Sequence, residues 1–386
     1  MTWLFIEAAD VWLFRDGRPF SAGEGHIARS VFPPSPQTLQ GALRALILNH
    51  SEISEEDYKR ENANAQTVIQ KIGKPPKGGA HPEPGTLGDF AVAGPFLARW
   101  EEVSGKLVAV RYTPMPADIV QVKSGGKKDY FALRPASNFQ FECDKPSSHW
   151  RPLFPWRDVD DASEPEEPGW LRETALTDYL QDTTGWDLLL GKELFVPESR
   201  FGIGLDYANK RPTTGMLYQV EFIRPQSKVG LLARLTGKTQ LPDPNGWLAL
   251  GGEMRAARYR TVSDVSVMAN ASIAQPTTQL KLVLLTPAFF SGGWQPQEGK
   301  WDTLFNEQNV QLVSAALGRP QRIGGWDIAT NWHKPMRAFV PAGSVYYFQS
   351  DRPIVSPQTL TETPPGELPF GKMGFGQVAV GQWNSA

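Results

Sequence analysis

Frequent glycine and proline are the feature of this sequence that most restricts its fold. The chain has 36 glycines and 33 prolines among its 386 residues, and both residue types interrupt helices and favour turns. It also has 13 tryptophans, 20 phenylalanines and 9 tyrosines, which supply large apolar side chains for burial. We therefore expect an ordered protein with many turns and few long helices, rather than a disordered chain.

Length and hydrophobic periodicity predict two mixed domains. The chain is about twice as long as a typical domain. In the first half, a predicted strand at 2–8 precedes a helix that begins after Ser35, a good N-cap residue. In the second half, strands at 279–286 and 344–348 flank a predicted helix at 302–317. This repeated order indicates two α+β domains of the split βαβ type.

Local patterns predict the remaining elements. The capping residues favour a second helix from Ser54 to Gly73. We expect residues 113–200 to be irregular, apart from a short helix near 171–180. Three further strands are predicted, at 89–98, 106–112 and 216–224.

The sequence excludes several classes of protein. Its single cysteine, Cys143, cannot form an intramolecular disulfide, and the five histidines show no metal-ligand spacing. The N-terminus lacks the basic region of a signal peptide. The longest apolar stretch, at 280–290, contains Lys281 and Pro287 and is too short to span a bilayer. We expect a soluble, cytoplasmic protein with no membrane segment, no metal and no cofactor.

Charge is distributed unevenly along the chain. The formal net charge of −2 argues against a free-standing nucleic-acid-binding protein. Residues 158–167 hold six acids and no base, whereas Arg15, Arg18, Arg29 and Arg44 cluster around the first predicted helix. This asymmetry is compatible with a narrow basic surface on an otherwise acidic protein.

Three glycine-rich segments are candidate anion-binding turns. They are Gly23–Gly25, which leads towards Arg29, then Arg200–Asp206, which is followed by Arg211, and Gly371–Gly376. Backbone N–H groups beside arginines can hold phosphates, although for any one segment alone a simple tight turn is the favoured interpretation. None matches the nucleotide-binding motifs that glycine-rich loops form before helices. Nucleotide hydrolysis is therefore not expected.

Three aromatic residues lie next to glycines. Phe375, Trp326 and Trp294 could each offer a ring on which a base stacks, because glycine allows a close backbone approach. The alternative is packing in the core or at an interface, which we favour for Trp294. For acid–base chemistry, His26 is the only histidine in a loop with basic neighbours before a helix. A contact role for His26 is favoured over a role as a catalytic base.

An ordered set of short motifs resembles one protein family. The chain is similar to the third Cmr protein, a RAMP-superfamily subunit of type III-B CRISPR effector complexes. The motifs run in order from residue 3 to residue 383, and residues 50–88 and 144–198 are covered least. The motifs are Phe14–Arg44, Arg200–Asp206, Gly215–Tyr218, Leu250–Arg255, Thr286–Phe290, Gly324–Asp327, Lys334–Pro335, Pro341–Tyr346 and Gly374–Gly376.

The resemblance implies a fold and a function. The fold would be two ferredoxin-like (RRM-like) domains, at 1–225 and 226–386, each a split βαββαβ unit with loop insertions. The protein would be a non-catalytic subunit that binds the 5′ handle of the guide RNA in antiviral defence. Its partners would be the large polymerase/cyclase-like subunit and the first backbone RAMP subunit, and it would not be a homo-oligomer.

Two groups of residues are predicted to converge on one strand of RNA. Arginines and backbone N–H groups would hold phosphates, and rings would stack on bases. Glu253 is expected to orient Arg255 as a structural pair. One side of the clamp would contain Arg15, Arg18, His26, Arg29, Ser30, Ser35, Gln37, Thr38 and Arg44. The other side would contain Arg200, Gly202, Gly204, Arg211, Gly371, Lys372, Gly374, Phe375 and Gly376.

Two alternatives remain at this stage. The first is a metal-independent RAMP endoribonuclease that processes repeat RNA, with His26 as general base and Arg29 or Lys372 stabilising the developing charge. The second is a structural adaptor with little RNA contact. The first would cut RNA without metal, and the second would leave the glycine-rich segments without RNA contacts.

Overall fold

A computed structural model describes most of the chain. The described residues are 2–16, 27–77, 83, 85–124, 127–137, 150–155, 162–165, 167, 169–183, 186–206, 208–266, 277–306, 308–327 and 330–385. Arg18, His26 and the Gly23–Gly25 segment lie outside these ranges, and so does Cys143.

Strands account for most of the regular structure. In chain order the strands are β1 (Thr2–Ala8), β2 (Ile27–Ala28), β3 (Val92–Val103), β4 (Lys106–Pro114), β5 (Ile119–Ser124), β6 (Lys127–Ala132), β7 (Arg134–Pro135), β8 (Leu153–Phe154), β9 (Ala162–Ser163), β10 (Gly169–Arg172), β11 (Leu188–Leu190), β12 (Phe195–Leu205), β13 (Pro212–Pro225), β14 (Val229–Leu235), β15 (Asn245–Ala249), β16 (Ala256–Val262), β17 (Val265–Ser266), β18 (Thr277–Leu284), β19 (Gln311–Ala316), β20 (Gln321–Asp327), β21 (Trp332–Phe339), β22 (Val345–Ile354) and β23 (Val378–Gln382).

Helices are short, as the glycine and proline content predicts. None of those in the described part of the chain is long and apolar enough to cross a membrane. The α-helices are α1 (Pro36–Asn49), α2 (Glu55–Lys59), α3 (Gln66–Ile72), α4 (Glu173–Leu180) and α5 (Phe370–Met373). Turns of 3₁₀ helix occur at Ala63–Ala65, Gly191–Glu193, Gly252–Met254, Gln297–Gly299 and Asp302–Phe305.

The chain forms two units, each assembled from three segments. Unit 1 contains Met1–Arg99, Lys192–Ser263 and Arg322–Arg337. Unit 2 contains Trp100–Gly191, Asp264–Gln321 and Ala338–Ala386. The domain boundary predicted between residues 225 and 226 falls between β13 and β14, which both belong to unit 1.

The main sheet of unit 1 is antiparallel. Its strand order is β3-β14-β1-β16-β15. Leu4 and Ile6 alternate with Phe5 along β1, so they share one face, where they pack in one buried cluster with Leu39 and Leu43 of α1. The i, i+4 spacing of the two leucines therefore presents one apolar side of α1 to this cluster.

The start of α1 confirms the sequence prediction. Ser35 has extended backbone angles at the N-cap, and Pro36 occupies the first turn, where its missing N–H costs no hydrogen bond. The predicted second helix is only partly correct, because the chain from Ser54 to Gly73 is divided into α2, a 3₁₀ turn and α3. Both predicted ends hold: the Asp57 N–H donates to Ser54 Oγ at 3.0 Å, and Gly73 ends α3 with a φ of 82°.

Unit 2 contains a second antiparallel sheet. Its order is β19-β22-β18-β23, and Leu282, Phe348 and Val378 contribute to the buried cluster beside it. In the same unit β10 pairs with β11 and β4, and β17 pairs in parallel with β4. Smaller sheets join β6 to β5 to β9 and β7 to β8. The 113–200 region therefore contains several short strands and α4, which confirms the helix near 171–180 and corrects the expectation of irregular chain.

The helix predicted at 302–317 is wrong. Only Asp302–Phe305 is helical, as a 3₁₀ turn, and Asn306 ends it with left-handed backbone angles. Gln311–Ala316 form β19, which pairs with β22. Leu304, Phe305 and Leu312 are spaced as they would be on a helix, but pairing with a long buried strand decided the backbone conformation instead.

Without the edge strand β15, both main sheets have the same strand order. Numbered by their position in the chain, the strands lie in the order second, third, first, fourth, as β3-β14-β1-β16 in unit 1 and as β19-β22-β18-β23 in unit 2. The helical connections differ, however. In unit 1, α1 to α3 follow the first strand, whereas β15 and a 3₁₀ turn follow the third. The predicted α+β class holds as mostly antiparallel sheets with few helices, and the split βαββαβ form is not confirmed.

Candidate nucleic-acid interface

The glycines predicted to form a phosphate-binding loop lie within a strand. Gly202 and Gly204 belong to β12, which forms a long antiparallel hairpin with β13. A Cβ atom at Gly202 would lie 2.2 Å from the Tyr218 ring, and one at Gly204 would lie 2.9 Å from Met216 Cβ. These glycines leave room for large cross-strand neighbours. Their role as a loop of N–H donors is therefore not supported, because Gly202 has no left-handed φ and pairs within the sheet.

The turn of this hairpin lies farther along the chain, at Asp206–Arg211. The Asp206 N–H donates to the Arg211 carbonyl, and the Lys210 N–H donates to the Asp206 carbonyl, both at 2.8 Å. The Asp206 carboxylate accepts from the N–H groups of Ala208 at 2.8 Å and of Asn209 at 3.1 Å. Arg211 is exposed at this turn.

Part of the N-terminal segment lies against the hairpin. Strand β2 pairs in parallel with β13, with Ala28 opposite Val220, and Val220 also pairs with Arg200. The Ser30 hydroxyl donates to the Glu221 carbonyl at 2.7 Å. Arg15 forms an isolated bridge with Ser30. The fold therefore brings Arg15, Arg29 and Ser30 to the sheet that carries Arg200, and Arg29 is exposed there.

Arg200 belongs to a network of two arginines and two acids. Its guanidinium lies 3.0 Å from Asp10 and 2.7 Å from Glu198, and Arg224 pairs with the same two carboxylates. Hydrogen bonds from Arg200 and Arg224 lower the pKa of Asp10, and those from Arg224 and Arg200 lower the pKa of Glu198. The two carboxylates offset both positive charges. A phosphate would have to compete with them for Arg200.

The α1 end of the predicted clamp makes contacts of its own. The hydroxyl oxygens of Ser35 and Thr38 are 2.9 Å apart, and the Gln37 amide donates to the Gly324 carbonyl. Arg44 donates to the Tyr58 hydroxyl at 3.1 Å, while burial raises the pKa of Tyr58. Arg44 thus ties α1 to α2.

The Gly371–Gly376 segment belongs to unit 2 and is mostly buried. The Gly374 and Gly376 N–H groups donate to the carbonyls of Gly371 and Pro287, so they are already used within the protein. Phe375 is fully buried and packs 4.8 Å from Phe339 and 5.1 Å from Phe370 between ring centroids. Its ring therefore offers no exposed face to a base. Lys372 is the exposed residue of the segment.

Other expectations concern ion pairs and metals. Arg255 lies 2.5 Å from Glu253, which confirms the predicted structural pair, and its guanidinium stacks 4.7 Å from the Phe222 ring centroid. Within the part of the chain that the structure describes, no group of three or more His, Cys, Asp or Glu side chains is placed to hold a metal ion.

Comparison with known families identifies the chain. The sequence profile of the family described as CRISPR-associated protein (Cas_Cmr3) matches residues 4–383. The chain belongs to this family. The resemblance inferred from the ordered sequence motifs is thereby confirmed.

Solved structures similar to this Cas_Cmr3 chain have low sequence identity. One chain in a cryo-EM structure of the Type III-B Cmr-beta bound to cognate target RNA and AMPPnP, state 1, is 16% identical, with a TM-score of 0.48, covering 89% of this chain and 86% of that chain. A second, from the Type III-B Cmr-beta bound to cognate target RNA, is 16% identical with a TM-score of 0.45 and the same coverage. A third, from the apo state, is 12% identical with a TM-score of 0.29, covering 68% of this chain and 97% of that chain. A search of curated protein sequences finds no match.

Two exposed surfaces of this Cas_Cmr3 chain were missed by the site prediction. The first is a row of apolar side chains on one face of the β12–β13 hairpin. The second is the β20–β21 hairpin, where the sequence had indicated only Trp326, as a ring on which a base could stack. Alternation of apolar residues along β12 was a usable signal for the first surface. The first surface comprises Phe201, Ile203, Leu205 and Leu217.

Proposed function

We propose that this chain is a non-catalytic guide-RNA-binding subunit of a type III-B CRISPR effector complex. It would hold the 5′ handle of the guide RNA and contact the large polymerase/cyclase-like subunit and a backbone RAMP subunit. The observation that carries the proposal is the Cas_Cmr3 match across residues 4–383.

Two exposed arginines of unit 1 support RNA binding. Arg29 follows β2 and Arg211 precedes β13, so they lie at different places along the β12–β13 hairpin. Phosphate contacts need only a few such cations when neighbouring subunits supply further contacts. A net charge of −2 is therefore compatible with a subunit that binds RNA within an assembly.

The apolar face of the β12–β13 hairpin supports a place in an assembly. Phe201 and Ile203 point from one face of β12, because alternate residues share a side of a strand, and Leu205 follows them beyond an irregularity in the pairing. All three are exposed in the isolated chain, together with Leu217 on the paired strand. Contiguous exposed apolar side chains are typical of protein interfaces. We infer that a neighbouring subunit covers this face.

The strand order shared by the two main sheets supports a fold of two ferredoxin-like domains. We infer that the two main sheets derive from two ferredoxin-like domains, each of which has lost one of its helices or reduced it to turns. A second, third, first, fourth order is the one in which a βαββαβ chain places its four antiparallel strands.

Crosslinking within the assembled complex tests the function. The chain is co-expressed with the other subunits and a guide RNA that carries photoreactive nucleotides in the 5′ handle. Adducts on peptides that contain Arg29 or Arg211 are expected. Handle adducts confined to other subunits would overturn the proposal, and RNA cleavage by the purified chain in EDTA would overturn its non-catalytic part.

A further inference from the structure

Three aromatic rings lie together on the β20–β21 hairpin of unit 1. Trp326 contacts His333 edge to face, with ring centroids 4.7 Å apart and an interplanar angle of 88°. Trp332 lies 6.0 Å from the same His333 ring. Trp326 is 48% exposed and Trp332 is 70% exposed. Large rings exposed to this extent leave apolar area that a ligand can cover.

The charge of this hairpin is complementary to nucleic acid. The hairpin carries three cations, Arg322, Lys334 and Arg337, and a single acid, Asp327, among its described residues. The protein as a whole has more acids than bases, with 41 against 39. Cations beside exposed rings are the arrangement by which proteins hold single-stranded nucleic acid, with phosphates on the cations and bases on the rings. An apolar protein partner would not need this excess of positive charge.

The base of the hairpin is fixed to α1. Ile323 is buried, and the Gln37 side chain of α1 donates to the Gly324 carbonyl. A Cβ atom at Gly325 would lie 3.2 Å from the Gln37 amide nitrogen, so glycine permits this close approach. A strand held at its base presents its rings in a defined orientation, which reduces the ordering cost of binding.

We propose that Trp326 and Trp332 form a stacking platform for the bases of single-stranded RNA. The inference rests on the proposed function, and it adds a site outside the arginine and glycine segments that the sequence predicted. His333 packs edge to face against Trp326 and holds that ring in place, and Trp332 precedes His333 on β21. Arg322 and Lys334 are placed on the same two strands for the phosphates of the bound strand.

The test compares RNA with and without bases. The purified full-length chain is titrated into a fluorescein-labelled octauridylate and into an abasic oligonucleotide of the same length, and fluorescence anisotropy is measured. The double variant Trp326→Ala, Trp332→Ala is expected to bind octauridylate about tenfold more weakly or worse. Its affinity for the abasic strand should be unchanged. The Trp326→Phe, Trp332→Phe variant keeps two rings and should retain most of the affinity.

A matched control separates stacking from a general loss of surface tryptophan. Trp247 on β15 of unit 1 is 60% exposed, and Trp247→Ala should bind both strands as the unchanged protein does. Equal octauridylate affinity in the double alanine variant would overturn the platform and leave the proposed function standing. If the double alanine variant keeps its RNA affinity but no longer binds partner subunits, the platform is overturned too, because the rings would then contact protein. If the unchanged chain binds no single-stranded RNA, the platform fails, whereas the proposed function, which concerns the assembled complex, is decided by the handle crosslinking.

Discussion

The Tyr179 hydroxyl donates to the carboxylate of Asp118, with oxygen–oxygen distances of 2.9 and 2.8 Å. Both residues are buried in unit 2, and the Tyr347 hydroxyl donates to the same carboxylate. The buried Lys281 ammonium donates to the Tyr179 carbonyl at 3.1 Å and lies 3.9 Å from the Tyr179 ring centroid. This polar network crosses from the β18–β22 pair to α4, so it ties the helix to the sheet.

Removing the central carboxylate should destabilise the protein. In Asp118→Ala the buried Tyr179 hydroxyl loses its acceptor, and Lys281 loses the acid that offsets its charge most. We expect the free energy of unfolding to fall by about 3 kcal/mol, measured by urea denaturation. Asp187→Ala, which removes an exposed carboxylate of the same unit, should change it by less than about 0.5 kcal/mol. Equal effects of the two substitutions would contradict a structural role for the network.

The same carboxyl should make stability depend on pH. Burial raises the pKa of Asp118 above its ordinary value of 3.8. Between pH 3.8 and that higher pKa, the folded chain holds a proton that the unfolded chain has released. The free energy of unfolding should therefore decrease as pH rises through this window. Urea denaturation across a pH series should show this decrease, and in Asp118→Asn it should be absent; an identical pH profile for the variant would refute the assignment.

Removing one partner of a buried ion pair in unit 2 should destabilise the chain more than replacing both partners by apolar residues. Arg111 donates to Glu173 through two nitrogens, at 2.7 and 3.0 Å, and both side chains are buried. Glu173→Leu removes the carboxylate that accepts both hydrogen bonds from the buried Arg111 guanidinium and should destabilise the chain by about 3–5 kcal/mol. The double variant Arg111→Met, Glu173→Leu should cost clearly less. A double-mutant cycle by urea denaturation measures this difference, and additive effects would show that the pair is not coupled.

Two glycine substitutions should change the stability of the chain in opposite directions. Gly374 has a φ of 105°, which an L side chain adopts only with strain, so Gly374→Ala should destabilise the chain by about 1–2 kcal/mol. Gly41 lies in α1, where an added Cβ would have no atom within 4 Å outside the adjacent residues and the helix's own backbone. Gly41→Ala should therefore stabilise it by about 0.5–1 kcal/mol. Thermal unfolding of both variants measures the two changes in stability. If both variants were stabilised, or both destabilised, backbone conformation would be excluded as the cause.

Arg29 should contribute to the salt dependence of RNA binding. If its guanidinium contacts a phosphate, Arg29→Ala should weaken binding and lower the slope of log affinity against log salt by about one unit. Fluorescence anisotropy between low and moderate salt gives this slope. Arg60→Ala removes the same charge from the C-terminal end of α2, where Arg60 pairs with Glu56, and should leave the slope unchanged. Weaker binding of the Arg29 variant with an unaltered slope would point to a folding defect instead.

Sequence reasoning succeeded where local chemistry decides the outcome. It placed β1 and both ends of the 54–73 helical region, because capping residues and strand alternation act over a few residues. It failed at 302–317, where pairing with β22 overrode a helical spacing. It also misassigned the Gly202 and Gly204 segment, because a glycine in a loop and a glycine beneath a cross-strand ring look alike in the sequence.

The amino-acid sequence by itself determined the turn-rich α+β character, the start of α1 and membership of the Cas_Cmr3 family. Only the tertiary structure decided which distant segments meet. Gln37 and Gly324 are separated by 287 positions yet form a hydrogen bond, and β2 joins the β12–β13 hairpin in parallel. Such contacts depend on strand register and chain closure, which no local propensity encodes. For that reason the exposed rings of the β20–β21 hairpin and the burial of Phe375 became evident only in the folded chain.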